Sequence, residues 1–149
     1  MPSDRKTPPL KPLSWLLKQL RNALHRTTED ALLPLGLTEA HAAVLMELAY
    51  GKPLSNAALA RASFVTPQSM VQLLGSLEER GLVARGSDPQ GGRAMPAELT
   101  PEGRRQVFQI HLAMREVEQK LLSGLNLDER NRLRALMERC LESLASESR

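Results

Sequence analysis

Apolar residues recur at spacings of three and four positions along most of this chain, which is the pattern of amphipathic helices. The first apolar stripe begins at Leu13 and predicts a helix over residues 13–30. Before it, residues 1–12 contain four prolines, which predict a flexible tail. The chain is therefore expected to begin with an irregular segment and to continue as a helical protein.

Capping residues divide the next part of the chain into three shorter helices. Thr38 and Thr66 each precede an apolar stripe, and their hydroxyls can accept hydrogen bonds from the free N–H groups at a helix start. A short helix also follows Ser55. Gly51 and Gly81 follow the stripes of the first and third of these helices, where glycine commonly ends a helix. The predicted helices therefore occupy residues 38–51, 55–62 and 66–81.

A β-hairpin is predicted next, because short apolar segments at residues 82–85 and 94–99 flank turn-forming residues at 86–92. Thr100 with Pro101 opens a long fifth helix, and Asn126 with Glu129 opens a sixth in the manner of a capping box. This order predicts a mainly α fold with a small β-hairpin. Strands and helices do not alternate, which argues against a doubly wound sheet.

The helices at residues 55–80 are joined by a short turn over residues 62–65, as in a helix-turn-helix. Such a motif places the start of its second helix in the DNA major groove. This start is polar and almost uncharged, and a glutamine there can bond both polar atoms of an adenine edge. The predicted base-reading residues are Thr66, Pro67, Gln68, Ser69 and Gln72. A plain solvated helix has the same composition, so the helix alone leaves both interpretations open.

The hairpin directly follows this motif and carries Arg85 and Arg93 beside a glycine-rich tip. An arginine at such a tip can enter the narrow minor groove of A·T-rich DNA, although a solubilising surface hairpin is the alternative. Because the base-reading surface is nearly neutral, phosphate contacts are expected from Arg61 and Arg85, and Ser55 is also predicted to contact DNA. Together these features predict a winged helix-turn-helix core over residues 38–103.

Composition narrows the function classes. The net charge of +3 agrees with nucleic-acid binding without demonstrating it. Cys140 is the single cysteine, and no apolar segment has the length of a membrane span, so we expect a cytoplasmic protein without membrane contact. The sequence shows no glycine-rich phosphate loop, metal-ligand cluster or nucleophile elbow, so we expect no enzyme activity, cofactor or metal site.

Several longer segments carry a more specific signal: Leu37-Thr38, Val44-Leu45, Leu48, Leu59-Ala60, residues 66–70, residues 77–85, Asp88-Pro89 with Arg93, and residues 99–103. Together they resemble the MarR (multiple antibiotic resistance regulator) family over nearly the whole chain from about residue 12. The wing departs from the family pattern, because Gly91 and Gly92 stand where an acidic and a basic residue are common. Arg93 is therefore expected to be held less firmly in this wing.

The resemblance implies a single domain over residues 13–149, in which dimerisation helices at residues 13–30 and 101–146 flank the winged core. It implies a homodimeric transcriptional repressor that binds a palindromic double-stranded operator. A small aromatic or anionic effector would bind between the dimerisation helices and the DNA-binding lobe and release the DNA. The candidate effector residues are Trp15, Arg21, His25, His41 and His111. Ordinary surface or core positions are the alternative for the histidines.

In the fifth helix, apolar residues recur with the 3.5-residue repeat of a helix packed along another helix. An intrachain contact or a dimer contact gives this pattern, and the resemblance favours the dimer. The predicted interface residues are Val107, Ile110, Met114, Val117 and Leu121, with Leu136, Cys140 and Leu144 of the sixth helix. Cys140 lies on the apolar face of that helix and is expected to be a buried structural thiol rather than a redox sensor.

A second function stays open at this point. A winged-helix domain can serve as a protein-interaction module that has no specific DNA binding. Salt-dependent binding to a palindromic duplex separates this alternative from a DNA-binding regulator, because neutralised phosphates make affinity fall steeply with salt.

Overall fold

The computed structural model describes residues 10–51, 55–85 and 96–146. A short 3-10 turn at Leu33–Leu35 follows the first helix. The elements are α1 (Leu13–Leu32), α2 (Glu39–Tyr50), α3 (Asn56–Ala62), α4 (Pro67–Glu79), β1 (Val83–Arg85), β2 (Ala97–Leu99), α5 (Pro101–Leu121) and α6 (Leu127–Ser146). The predicted order of four helices, a hairpin and two helices is confirmed, and α1 extends two residues beyond its predicted end.

Side-chain caps hold the helix starts in place, at the predicted Thr38, Thr66 and Asn126 and also at Ser55. The hydroxyls of Thr38, Ser55 and Thr66 each accept the backbone N–H three residues ahead, at 3.3, 3.2 and 3.1 Å. At α6, the N–H of Glu129 donates to the side chain of Asn126 at 3.0 Å, and the N–H of Asn126 donates to the Glu129 carboxylate at 2.8 Å. These bonds satisfy N–H groups that a helix start leaves without partners, which explains why the sequence located the starts well.

One hydrophobic core joins the elements from the end of α1 to α5. Its fully buried side chains come from α1, α2, α3, α4 and α5: Leu32, Val44, Leu45, Leu59, Met70, Leu74, Leu77 and Ile110. The hairpin closes the core on one side, with Val83 opposite Leu99 in the antiparallel register. At Gly103 a Cβ atom would lie 2.0 Å from the carbonyl oxygen of Leu82, so only glycine lets α5 pass this close to the hairpin.

Part of the predicted organisation falls on residues that the structure does not describe. The second strand was expected from residue 94, and its described part is Ala97–Leu99, whereas residues 94 and 95 lie outside the described range. Residues 1–9 of the predicted tail also lie outside it. The division into a winged core and dimerisation helices stays a prediction.

No single helix in the described ranges is long and apolar enough to cross a bilayer. The segments Leu13–Leu35 and Glu39–Tyr50 reach that length and apolar character only together, and they are bent by 77° relative to each other.

Candidate nucleic-acid interface

Helix α4 is held by one face, which leaves its other face available for a ligand. Met70, Leu74 and Leu77 on the inner face are completely buried. Gln68 and Gln72 are exposed on the rest of the helix. The predicted base-reading glutamines are therefore free of the core.

The first turn of α4 is fixed by a small hydrogen-bond network. The hydroxyl of Thr66 accepts the N–H of Ser69 at 3.1 Å and donates to the hydroxyl of Ser69 at 2.9 Å. Pro67 occupies the first helical position, where its missing N–H costs nothing. This rigid turn positions Gln68, but the hydroxyls of Thr66 and Ser69 already bond each other. Their most direct role is to shape the helix start.

The basic residues predicted to reach phosphates lie in different settings. Arg61 is exposed in the last turn of α3. Arg85 in β1 is instead paired with Glu78 of α4, with 2.6 Å between Nε and the carboxylate. Arg93 lies outside the described residues. Arg61 is therefore the more accessible of the two described cations, and Arg85 can offer only the part of its guanidinium that Glu78 leaves open.

Two residues missed by the sequence analysis also shape this surface. Arg80 at the end of α4 donates to the backbone carbonyls of Gly36 and Leu35 at 2.6 and 3.0 Å, which ties α4 to the turn after α1. Phe64, in the turn between α3 and α4, is almost entirely exposed and has a positive φ of 56°. The sequence signal that could have singled out Phe64 is a bulky residue directly after a helix end, where glycine is usual.

The dimer prediction for α5 needs a correction. Val107, Ile110 and Val117 are buried within a single chain, which leaves little of their side chains for a second copy. The alternative for the 3.5-residue repeat was an intrachain contact with the first or the sixth helix, and α5 packs against α1 and also against α2, which the sequence analysis did not name. Met114 packs against the same core, whereas Leu121 is partly exposed.

Helix α6 differs from α5, since none of its described side chains is buried in the single chain. Leu136 and Leu144 stay exposed, as expected of interface residues that lack their partner. Cys140 is exposed in the single chain as well, and its burial in the dimer interface stays a prediction. Helix α1 adds exposed apolar side chains: Leu13, Trp15, Leu16, Leu17 and Leu20.

The five predicted effector residues do not meet in one cleft. The Lys11 ammonium lies 3.7 Å from the centre of the Trp15 ring, and Arg21 is exposed on the helix that contains Trp15. His111 lies 2.5 Å from the Tyr50 hydroxyl, and the two rings meet edge to face. His25 pairs instead with Glu39. None of the five lines either of the two cavities described below.

His41 belongs to the start of α2. Its Nδ1 accepts the Thr38 N–H at 3.3 Å, which completes a capping box with the Thr38 hydroxyl. Burial lowers the pKa of His41, nearby Arg80 lowers it further, and Glu29 opposes this shift. A neutral ring suits the capping role, since a protonated Nδ1 cannot accept a hydrogen bond. His41 is thus a structural residue rather than part of a ligand cleft.

His25, Glu29 and Glu39 form a cluster whose ligand atoms lie within 4.8 Å of one another. The sequence predicted no metal site, yet these groups have the chemistry of cation ligands. Their polar atoms already have partners, because Glu29 accepts the N–H of Glu39 at 2.7 Å and Glu39 pairs with His25. We therefore assign the cluster to the attachment of α1 to the start of α2.

Two cavities adjoin the core, one along the first half of α2 and one at its end. One, of about 370 Å³, is lined mainly by apolar side chains of α1, α2 and α5, including Leu24, Met46 and Met114. The other, of about 390 Å³, lies at the base of the wing and is lined by Tyr50, Glu98, Arg104 and apolar residues of α2, β2 and α5. Both have the size of a small-ligand site, about 300–1,000 Å³.

Known proteins share this sequence pattern and this architecture. The model of the MarR family matches residues 35–94. The HTH-type transcriptional repressor Rv2887 of Mycobacterium tuberculosis is 34% identical over 128 residues, which cover 86% of this chain and 92% of the relative. The chain belongs to the MarR family. The family resemblance predicted from the sequence is confirmed.

Solved structures support the same assignment for this MarR-family protein. The structure of Rv2887 in complex with DNA superimposes with a TM-score of 0.75 at 32% identity and covers 87% of this chain and 98% of that chain. The complex of Rv2887 with salicylic acid gives 0.74 at 34% identity, with 87% and 96% covered. Wild-type MarR from Escherichia coli gives 0.78 at 25% identity, with 89% and 98% covered. The winged helix-turn-helix fold is thereby confirmed.

Proposed function

We propose that this protein is a sequence-specific double-stranded DNA-binding repressor. It acts in the cytoplasm as a homodimer on a palindromic operator, by binding rather than by catalysis. A small aromatic, anionic molecule releases it from DNA. The observation that carries the proposal is the start of α4, a rigidly capped turn with Gln68 and Gln72 exposed beside it and an accessible Arg61 on the preceding helix. The complex of Rv2887 with DNA supports it.

Reading of bases is assigned to Gln68 and Gln72, whose amides can donate to and accept from the same base edge. Arg61 and the open edge of Arg85 are assigned to phosphates, together with Ser55 at the start of α3. We keep Arg93 as the predicted wing contact. Thr66, Pro67 and Ser69 hold the helix start that carries Gln68. Phosphate contacts position the protein, whereas base contacts select the sequence.

Dimerisation is assigned to the exposed apolar faces of α1 and α6. A single chain leaves Leu136, Leu144 and Leu16 in water, and an apolar surface of this extent marks a protein contact. Leu121 at the end of α5 continues it. In a two-fold dimer the two α4 helices would stand about one turn of DNA apart, roughly 34 Å, as a palindrome requires.

For the effector we propose the cavity at the base of the wing. It is lined by apolar residues together with Tyr50, Glu98 and Arg104, and the guanidinium of Arg104 is the cation that an aromatic carboxylate needs. The cavity between α1, α2 and α5 has Glu39 and Glu118 in its lining and no cation, so it suits an anion poorly. His111 would act here as a positioning residue, since it holds the Tyr50 hydroxyl. The salicylic acid complex of Rv2887 supports this ligand class.

The experiment for DNA binding is selection of duplexes from a random library, followed by titrations at 50 to 200 mM salt. We expect a palindromic sequence to be enriched and its affinity to fall at least about tenfold across that salt range. Gln68→Ala should lower the affinity for the selected duplex and leave the affinity for random DNA unchanged. Binding that is equal for selected and random duplexes, or no enrichment at all, contradicts the proposal and favours a protein-interaction module.

Effector binding is tested by calorimetry with salicylate as the probe. Arg104→Met should lose most of the heat of binding, because the carboxylate loses its cation. Arg105→Met is the matched control, since Arg105 is exposed on the same turn and pairs with Glu102. Equal salicylate affinity for both variants contradicts the choice of this cavity.

A further inference from the structure

Three helical segments of this chain end in the same hydrogen-bonded motif. In each, a residue with positive φ donates its N–H to the carbonyl three residues back, and the next residue donates to the carbonyl five residues back. Gly81 donates to Glu78 at 2.9 Å, followed by Leu82 to Leu77 at 2.9 Å. The motif at Gly36 has the same pattern, with bonds to Leu33 at 2.9 Å and from Leu37 to Leu32 at 3.4 Å.

Phe64 occupies the corresponding position at the end of α3. Its N–H donates to the Arg61 carbonyl at 3.2 Å, and that of Val65 donates to Ala60 at 3.0 Å. The φ angles are alike, 65° at Gly36, 69° at Gly81 and 56° at Phe64. The backbone therefore needs the same left-handed residue in all three places, and in only one of them is it not glycine.

A phenylalanine at this position is unfavourable for the chain alone. A side chain with a Cβ atom is strained in the left-handed region, where glycine is not. Packing does not compensate, because the Phe64 side chain is 97% exposed. A residue that strains the backbone and gains no contact in the described parts of the chain indicates a contact with another molecule.

The position of Phe64 indicates which molecule. It lies two residues before Thr66, the cap of α4, and three after Arg61, so it adjoins the surface assigned to DNA. The neighbouring first turn of α4 offers only polar groups and a proline ring. The major groove presents one apolar group, the C5-methyl of thymine, which a phenylalanine can contact.

We propose that Phe64 contacts a thymine methyl in the major groove and so helps to select the operator sequence. The proposal rests on the DNA-binding function given above and adds an apolar specificity contact to it. Through the methyl group, Phe64 favours thymine over cytosine at one position of each half-site. The glutamines of α4 instead recognise bases through hydrogen bonds. The strain at the end of α3 is then offset in the complex rather than in the free protein.

The experiment uses the full chain and the duplex that the wild-type protein selects from a random library. Phe64→Ala and Phe64→Gly are compared with Phe108→Ala, which removes an exposed phenylalanine from α5. Both Phe64 variants should bind about tenfold more weakly, whereas the Phe108 variant should bind as the wild type does. The melting temperature of Phe64→Gly should not fall, because glycine relieves the left-handed strain.

Single thymines of the duplex are then replaced by deoxyuridine, which lacks only the methyl group. At one position in each half-site the wild-type protein should lose about fourfold in affinity, and Phe64→Ala should lose nothing further there. Unchanged affinity of the Phe64 variants, no sensitive thymine, or an equal loss in both proteins overturns the contact. A lower melting temperature for Phe64→Gly assigns the side chain to the fold and also overturns it.

The outcomes separate this inference from the function on which it rests. If the wild-type protein enriches no duplex, the proposed function fails and the inference fails with it. If the wild-type protein binds its duplex and the Phe64 variants bind it equally well, only the inference fails.

Discussion

Helices α4 and α6 have similar amphipathic patterns and opposite surroundings. The stripe of α4 is completely buried at Met70, Leu74 and Leu77. The stripe of α6 remains between 39% and 68% exposed, over Leu133, Leu136, Met137, Leu141 and Leu144. Both patterns predict that the apolar face of the helix is buried in the functional protein. Only the structure shows that one is covered within the chain and the other is not.

The difference separates two kinds of stability in the molecule. The lobe around α4 is held by its own core and is expected to stay folded in a monomer. The faces of α6 and α1 gain their burial only when a second chain covers them. Changes in α6 should therefore alter assembly, whereas changes inside the α4 stripe should alter folding.

The largest expected effect comes from a charge on the α6 stripe. Leu136→Glu should convert the dimer into a folded monomer, because an uncompensated carboxylate would be buried at the interface. Affinity for the selected operator should fall by about 10²- to 10⁴-fold, since two linked lobes bind far more tightly than one. Sedimentation equilibrium and a titration with DNA measure the two effects.

The control for this variant is Arg139→Glu, on the polar side of the same helix. It should leave the sedimentation mass unchanged. If Leu136→Glu also remains a dimer, α6 does not supply the interface.

A cavity in the α4 stripe should act on folding. Leu74→Ala should lower the free energy of unfolding by about 2–4 kcal/mol, because the side chain is completely buried. Chemical denaturation measures this loss. Val71→Ala, an exposed position on the same helix, should change it by less than about 0.5 kcal/mol. Similar losses in the two variants would remove the contrast between the faces of α4.

The smallest effect is a pH dependence carried by His41. Its pKa in the folded lobe is lowered, first by burial and then by Arg80, from the usual value of about 6.5. The unfolded chain therefore binds the proton first, so stability that is complete above about pH 6.5 decreases as the pH falls below that value. His41→Gln should flatten this part of the stability curve. An equal slope in wild type and variant would assign the pH dependence to other groups.

The sequence was a good guide wherever a local rule decides the structure. Thr38, Thr66 and Asn126 mark helix starts because each side chain accepts a hydrogen bond from the backbone N–H three residues ahead, which needs no distant partner. It was a poor guide wherever the partner is distant in sequence. Neither the turn held by Arg80 nor the cluster at His25 can be found from spacing, because each joins separate elements.

The same limit explains why the partner of α5 was not predicted, and why only part of the candidate DNA-binding site was. A 3.5-residue repeat reports a neighbouring helix, and Ile110 shows that this neighbour is in the same chain. In the site, the polar start of α4 was predicted correctly in position. The pairing of Arg85 with Glu78 was not predicted, because the basic side chain alone gives no indication of its acidic partner.

Hydroxyl-radical footprinting on the selected duplex shows whether a dimer sets two α4 helices into one palindrome. We expect two protected segments related by two-fold symmetry and about 10–10.5 base pairs apart from centre to centre. A single protected segment, or protection that does not depend on sequence, would contradict this arrangement.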